Sequence, residues 1–410
     1  MVSLDFIKKA KLPLLLLAIL ILPQFFGSYV SVEVKSICYA LSLSIKAILE
    51  FLLPFIIFSF IFSCLSSFQK GAIFFVFLLV VCVFLSNFTA LMFGYTSAKI
   101  GLNLLQFKQT AISNTAELIP AWAFKLDKLI ANDRALLCGL IAGIFFSIFP
   151  SSKARSVADK LNTLANGFLK KIFIPVLPLF ILGFVFKLEY ENVLQTSLKV
   201  YGPILILIII SQWLYISSWY LIASRFSINK FMFYFKNIIP ASLTGLSTIS
   251  SAASMPVLLV STEKNLENPQ KAKMLVPAII NIHTVGSAIG IPILALATLS
   301  TFGMPLPSTS AFIIFALYTA LAKYAVAAVP GGVIIVVAPL LEAHLGFSSD
   351  MVGIVTAVYM ICDPFGTTAN VTANGVFPIM FTRLYEALTS IKINLPKSRK
   401  ITSYAPKNID

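Results

Sequence analysis

The chain has 410 residues, 58% of them hydrophobic and 11% charged, with a mean hydropathy of +0.93. Soluble domains carry charge on about a quarter of their residues, so this composition excludes one and predicts an all-α polytopic membrane protein. The formal net charge of +15 would suggest nucleic acid in a soluble protein. Here the basic residues are scattered between apolar runs, where short cytoplasmic loops fall, so they read as orientation signals and no nucleic-acid partner is expected.

Lys8, Lys9 and Lys11 precede the apolar run Leu12 to Pro23, an arrangement like a cleavable signal peptide. No small-residue A-x-A site follows, and apolar character resumes from Phe25 to Val32, so the segment reads as the first span with its basic flank in the cytoplasm. Further spans are predicted at about 38–65, 72–97, 134–150, 170–188 and 198–223, with a less regular, partly amphipathic approach at 113–133. Lys70, Lys153 with Arg155, and Arg225 with Lys230 and Lys236 then share the side of the N-terminus, while Glu189 and Glu191 fall opposite. Cys38, Cys64, Cys82, Cys138 and Cys362 are odd in number and show no metal-ligand spacing, and read as packing residues.

The second half is interrupted three times. Residues 231–260 are split by Ser247-Thr-Ile-Ser-Ser-Ala-Ala-Ser-Met-Pro256, and residues 308–345 by Ala328-Val-Pro-Gly-Gly332. Two re-entrant helical hairpins meeting at midplane would explain both, with helix N-termini able to hold an anionic group. Two kinked ordinary helices, with Ser and Gly serving close packing, are the other reading. The third interruption is Cys362-Asp-Pro-Phe-Gly-Thr-Thr-Ala-Asn-Val-Thr-Ala-Asn-Gly375. Met351 to Ile361 before it and Val376 to Leu388 after it are each about half of the ~20 residues that a span needs, which favours one broken helix over two spans. A carboxylate at that depth faces a cavity and needs a partner, so Asp363 is expected to meet a cation or an ammonium group. Together the interruptions favour a binding site. The tail, with Lys392, Pro396, Lys397, Arg399, Lys400 and Pro406, is expected to be cytoplasmic and disordered. No nucleophile–base pairing or metal-ligand cluster suggests an enzyme.

At these interruptions the chain resembles the dicarboxylate/amino-acid:cation symporters, the family of glutamate, aspartate and neutral amino-acid transporters. Ser247 to Pro256 is similar to the family's serine-rich tip ending in Leu-Pro, and Ala328 to Gly332 to its Gly-Val-Pro-Gly tip. Asp363 to Asn374 resembles Asp-x-x-Arg-Thr-x-x-Asn-Val-x-x-Asp, and Leu53-Pro-Phe-Ile-Ile-Phe-Ser59 is a weaker match. The resemblance implies a glutamate-transporter-like fold with eight transmembrane helices and two re-entrant hairpins. Residues 1–230 would be mainly the scaffold and trimerisation half, its third and sixth helices moving with the transport half. Residues 231–392 would be the transport core and 393–410 the cytoplasmic tail. It further implies an elevator-type homotrimer in the bilayer of a bacterial inner membrane, both termini cytoplasmic, with Na⁺ or H⁺ as coupling ion and no other cofactor.

The family's residues carry over unevenly. The amino-acid head group would meet Ser250, Ser251, Ser287 and Asn370, the second tip Val329, Pro330 and Gly331, and, at its ammonium, Asp363 with Thr367. The arginine that serves acidic substrates is replaced by Gly366, and the compensating position in the first hairpin is Ile249, so a neutral side chain is expected. In the register set by Pro277, the seventh-helix motif Asn-Met-Asp-Gly-Thr reads His283-Thr-Val-Gly-Ser287, which puts Val285 in place of one cation-site aspartate and Asn374 in place of the other. His283, Thr284, Asn370 and Asn374 are the remaining coupling candidates. One Na⁺ site is expected near Thr284 and the Ala325–Val326 backbone, with proton coupling through His283 as the alternative. His344 is given no role. The function implied is cation-coupled transport of a neutral amino acid. The alternatives are an acidic amino-acid or C4-dicarboxylate carrier, or an uncoupled exchanger, channel or sensor on the same fold.

Overall fold

A computed structural model describes residues 15, 18–19, 21–66, 73–105, 118–127, 129–191, 194–326 and 331–393. The basic flank at Lys8 to Lys11, Lys70, Val329, Pro330 and the tail from residue 394 lie outside the described residues, as do the side chains of Cys64 and Lys392.

The described regular structure is all helix, the expected answer of a backbone that must satisfy its own polar groups in lipid. The first half contains α1 (Val32–Ser66), α2 (Ile73–Leu104), α3 (Asn132–Ile148), α4 (Ser152–Phe168), α5 (Ile174–Tyr190) and α6 (Leu194–Ala223). α1 bends by 40° close to Pro54, whose ring excludes one backbone hydrogen bond. The basic segment at Lys153 and Arg155, read from sequence as a loop, is the first turn of α4. Ser151 caps that helix by accepting from the Ala154 amide, and its packed side is the small-residue pair Ala158 and Ala165. A π-turn at Leu169–Phe173 then carries the chain through a 54° bend into α5. Residues 118–127 are irregular, as expected for the weaker approach segment, and lie along α1: the Ala121 amide donates to the Ser36 carbonyl and the Trp122 indole to Ser44 Oγ. Cys362 is buried and Cys38 and Cys82 are half-buried, but Cys138 is exposed on α3, so the packing role does not extend to it.

In the second half, α7 (Ile228–Thr248) and α8 (Ser251–Asn265) pack against each other across the link at Ile249 and Ser250, and α11 (Thr309–Ala322) and α12 (Gly332–Leu345) also pack against each other. These contacts accord with the hairpin reading better than with kinked helices, whose two arms would lie end to end. Between the two hairpins, α9 (Pro269–Ile279) and α10 (Val285–Thr301) are separated by unwound backbone at 280–284. α13 (Ser349–Ile393) is one continuous helix of 45 residues with Pro364 and Pro378 inside it. The break expected at Asp363 is thus absent, and unwound backbone falls instead between α9 and α10. Proline is tolerated within α13 because each one removes a single backbone bond, and a long buried helix makes many others.

α10 is the centre of the packing. Every one of its 17 residues is buried, and it lies against α2, α6 and α13. α13 in turn packs on α6, α7 and α8, while α1 packs mainly on α3, α4 and α5. Among the described residues three helical stretches are individually long and apolar enough to cross a membrane, Phe74–Leu104, Tyr201–Ala223 and Ser349–Thr389, and the count rises to five with the two bent pairs. Val285–Thr301, at ~1.5 Å per residue, falls short of the ~30 Å hydrocarbon layer by itself.

Candidate functional site

The first hairpin tip starts from a backbone constraint. Ile249 ends α7 in the left-handed region (φ 51°), and Ser250 is extended, with its hydroxyl accepting from the Ala253 amide as the N-cap of α8. The first-turn amides of α8, beginning at Ser251, are left pointing along the helix axis, where the dipole favours a negative group.

On α13, Asp363, Gly366, Thr367, Asn370 and Asn374 follow a spacing that keeps them on one helical face. Asp363 is 7% exposed, and its Oδ2 accepts the Gly331 amide at 2.9 Å. Gly331 stands in the left-handed region (φ 70°), and a β-carbon there would overlap the Met360 side chain, so glycine is required. The second hairpin is thus tied directly to the carboxylate.

The unwound segment 280–284 and the first turn of α10 are held by side chains from three helices. Asn87 on α2 accepts the Thr284 amide at 3.1 Å and donates to the Ile282 carbonyl at 2.8 Å. Gln212 on α6 donates to the Gly286 carbonyl at 3.0 Å. Asn370 on α13 caps α10, its Oδ1 accepting the amides of Gly286 (2.8 Å) and Ser287 (3.3 Å). Its amide nitrogen and the Tyr359 hydroxyl both donate to Ser287 Oγ, at 3.2 and 2.9 Å. Gly286 permits this approach, since a β-carbon there would collide with the Gly366 carbonyl and Ala369.

One cavity gathers Ile249, Ser250, Ser251, Asn281, Thr284, Ser287, Val326, Asp363, Thr367 and Asn370. Gly366 faces the same region: a β-carbon added there would have Ser287 Oγ, at 4.0 Å, as its nearest neighbour, which leaves room for a side chain. Among the expected head-group residues, Ser250, Ser251, Ser287, Asp363, Thr367 and Asn370 are therefore together, Gly331 is bonded to one of them, and Val329 and Pro330 lie outside the described residues. His283 and Asn374 do not line the cavity. They bond to each other instead, His283 Nδ1 to Asn374 Oδ1 at 2.7 Å, while His283 Nε2 meets Ser86 Oγ at 2.8 Å and the ring packs on Phe377. With Nδ1–H donating to Asn374 and Nε2 accepting from Ser86, one neutral tautomer satisfies both ring nitrogens. The buried amide nitrogen of Asn374 has no hydrogen-bond partner among the described residues.

The expected Na⁺ site near Thr284 and the Ala325–Val326 backbone contains a residue that the sequence reading passed over. Lys323, fully buried, donates from Nζ to Thr284 Oγ1 at 2.9 Å and to the Thr284 carbonyl at 3.2 Å. Both oxygens that Thr284 offers are taken by an amino group. No group of three His, Cys, Asp or Glu able to hold a metal occurs among the described residues. The residues present do not fit Na⁺ at this position. Ser86, Asn87, Gln212, Tyr359 and Lys323 are all site-building residues that sequence reasoning missed. A signal existed for Lys323, because a lysine inside an apolar segment marks function by default.

The family model for the sodium:dicarboxylate symporter family matches residues 134–384. Relatives include a serine/threonine transporter, SstT, of Acinetobacter baumannii, 28% identical over 154 residues, which is 38% of this chain and 38% of the relative. Another, from Streptococcus thermophilus, carries the same name and is 25% identical over 252 residues, 60% of this chain and 62% of the relative. The matched part is thus less than two thirds of each relative's length. Those proteins are transporters, not enzymes, and the apolar helices make this chain an integral membrane protein. With more than half of its length matched, the chain belongs to the sodium:dicarboxylate symporter family.

Proposed function

We propose that the chain is a secondary carrier of a neutral amino acid, of the serine and threonine class, in a bacterial plasma membrane with both termini cytoplasmic. The observation that carries this reading is the composition of the cavity. Asp363, with Thr367, faces an ammonium, and the Ser250–Ser251 end of α8 faces a carboxylate, while positions 249 and 366 hold Ile and Gly and supply no guanidinium for a second carboxylate. The relatives named serine/threonine transporters support the same substrate class.

In this reading the α7–α8 and α11–α12 hairpins re-enter the bilayer from opposite sides, and α9 with α10 makes one span, which brings the total to eight. Residues 231–392 with α2 and α6 form the moving half, and α1, α3, α4 and α5 belong to the scaffold of a homotrimer. The contacts of α10 with α2 and α6 support that division. The second hairpin closes over substrate before the half moves, because an open polar cavity sliding past lipid would expose unsatisfied groups. Counterflow in proteoliposomes tests the reading: labelled serine should exchange against internal serine, threonine or alanine and far less against aspartate, glutamate or succinate. Gly366→Arg should shift preference toward the acidic substrates. Efficient glutamate or succinate exchange by the wild type, without serine exchange, would refute it.

A further inference from the structure

Lys323 sits at the C-terminal end of α11, where the hairpin leaves its first arm. Two ordinary explanations of a membrane-depth lysine fail on geometry. A snorkelling side chain keeps its head group in water, whereas this residue is 0% exposed. A structural ion pair needs a carboxylate, and among the described residues none is in ion-pair contact with it. Its nitrogen instead crosses from the second hairpin to the unwound backbone and is held by the two oxygens of Thr284.

Those surroundings suit a cation. Lys323 opens the 3-10 turn that follows α11, and Thr284 presents a hydroxyl and a carbonyl to it, the carbonyl also accepting the Ala288 amide at 3.0 Å. Discontinuous membrane helices use unwound carbonyls to coordinate a coupling ion. The chain supplies the positive charge itself. Val285 and Asn374 bring no carboxylate to the neighbourhood.

We infer that Lys323 is a tethered cation that replaces a dissociable Na⁺ at the junction of the second hairpin with the α9–α10 break, and that substrate binding is consequently independent of Na⁺. This rests on the carrier reading given above. It separates the chain from what its family's name implies, and it makes the carrier an exchanger or facilitator with respect to Na⁺.

The test uses the purified full-length chain, with serine as probe, in NaCl and in equimolar choline chloride. Wild-type serine affinity should be the same in both salts. Lys323→Ser removes the amino group and frees the Thr284 oxygens, so it should lose at least about tenfold in affinity in choline and recover saturably with Na⁺. Lys323→Met fills the space without charge and should lose affinity in both salts. A wild-type affinity that rises about tenfold or more with Na⁺, or a Lys323→Ser protein that behaves like wild type in both salts, overturns the inference. If no neutral amino acid binds the wild type in either salt, the carrier reading fails separately. Thermal stability then decides the role of Lys323, since an ion that binds the folded state raises the melting temperature. Saturable stabilisation by Na⁺ over choline in Lys323→Ser but not in wild type supports the tethered cation; stabilisation in wild type, or in neither protein, overturns it. Should Lys323→Ser fail to fold, the wild-type comparison of the two salts still decides.

Discussion

Where α1, α5, α12 and α13 meet, charges come in opposite pairs. Lys35 bonds Glu189 at 2.5 Å, Lys187 bonds Asp350 at 2.5 Å with Glu191 at 3.6 Å, and Lys46 bonds Glu342 at 2.6 Å. Around the α9–α10 break the wiring is different: Asp363 takes a backbone amide and Lys323 takes two neutral oxygens. A paired charge has its demand met inside the protein and serves to hold helices together. A buried charge with neutral partners is costly, and such groups persist where a charged ligand is to be met or an ion replaced. The pairing pattern, more than burial, separates the structural polar region from the candidate binding region.

The sharpest way to break that comparison is Asp363→Asn. Removing one member of a buried charge pair typically costs about 3 to 5 kcal/mol, so serine affinity measured by calorimetry should fall by a factor on the order of several hundred or more, while helicity and gel-filtration behaviour stay unchanged. Unchanged affinity would mean that Asp363 serves only to hold Gly331. Next comes Lys187→Met, which removes the cation that Asp350 and the buried Glu191 share, leaving them the Tyr39 hydroxyl and the Leu118 amide. It should lower stability by about 2 kcal/mol in thermal unfolding, less than a fully buried pair because the Asp350 side chain keeps 21% of its exposure. Adding Asp350→Asn should return part of the loss, and a double mutant no better than the single would show that the pair contributes nothing. In the elevator reading this bridge joins the scaffold to the moving half, so the single variant should also exchange substrate at an altered rate. The smallest effect is expected for Arg155→Gln on α4, whose partner Asp159 lies one turn away with both side chains about half exposed. Such pairs are worth about 0.3 to 0.5 kcal/mol, and a loss well beyond that would give α4 a role that its geometry does not suggest.

Much of the site was legible in the chain itself. The Ser-rich and Pro-Gly-Gly interruptions marked both hairpins, because a helix cannot pass through such runs without its backbone finding other partners. The run Asp363 to Asn374 marked the polar stretch of α13 through its resemblance to the family's motif. The reading went astray where outcome depended on neighbours. Asp363-Pro-Phe-Gly predicted a break, yet α13 runs on, whereas His283-Thr-Val-Gly, with no proline, sits beside the actual break. Asn87 from α2 and Asn370 from α13 satisfy the freed backbone around the break, and nothing local to 280–284 announces them.

By itself, the sequence determined the all-helical membrane class and the positions of the interruptions, which follow from composition, periodicity and residue type, all local quantities; the site positions on α13 and the meaning of Ile249 and Gly366 were read through the family resemblance. Tertiary structure alone decided which helix unwinds, that His283 is bonded to Ser86 and Asn374 away from the cavity, and that Lys323 reaches Thr284 across 39 positions of chain. The physical reason is that a buried polar group takes its character from the partner that satisfies it, and that partner is set by packing between helices distant in sequence.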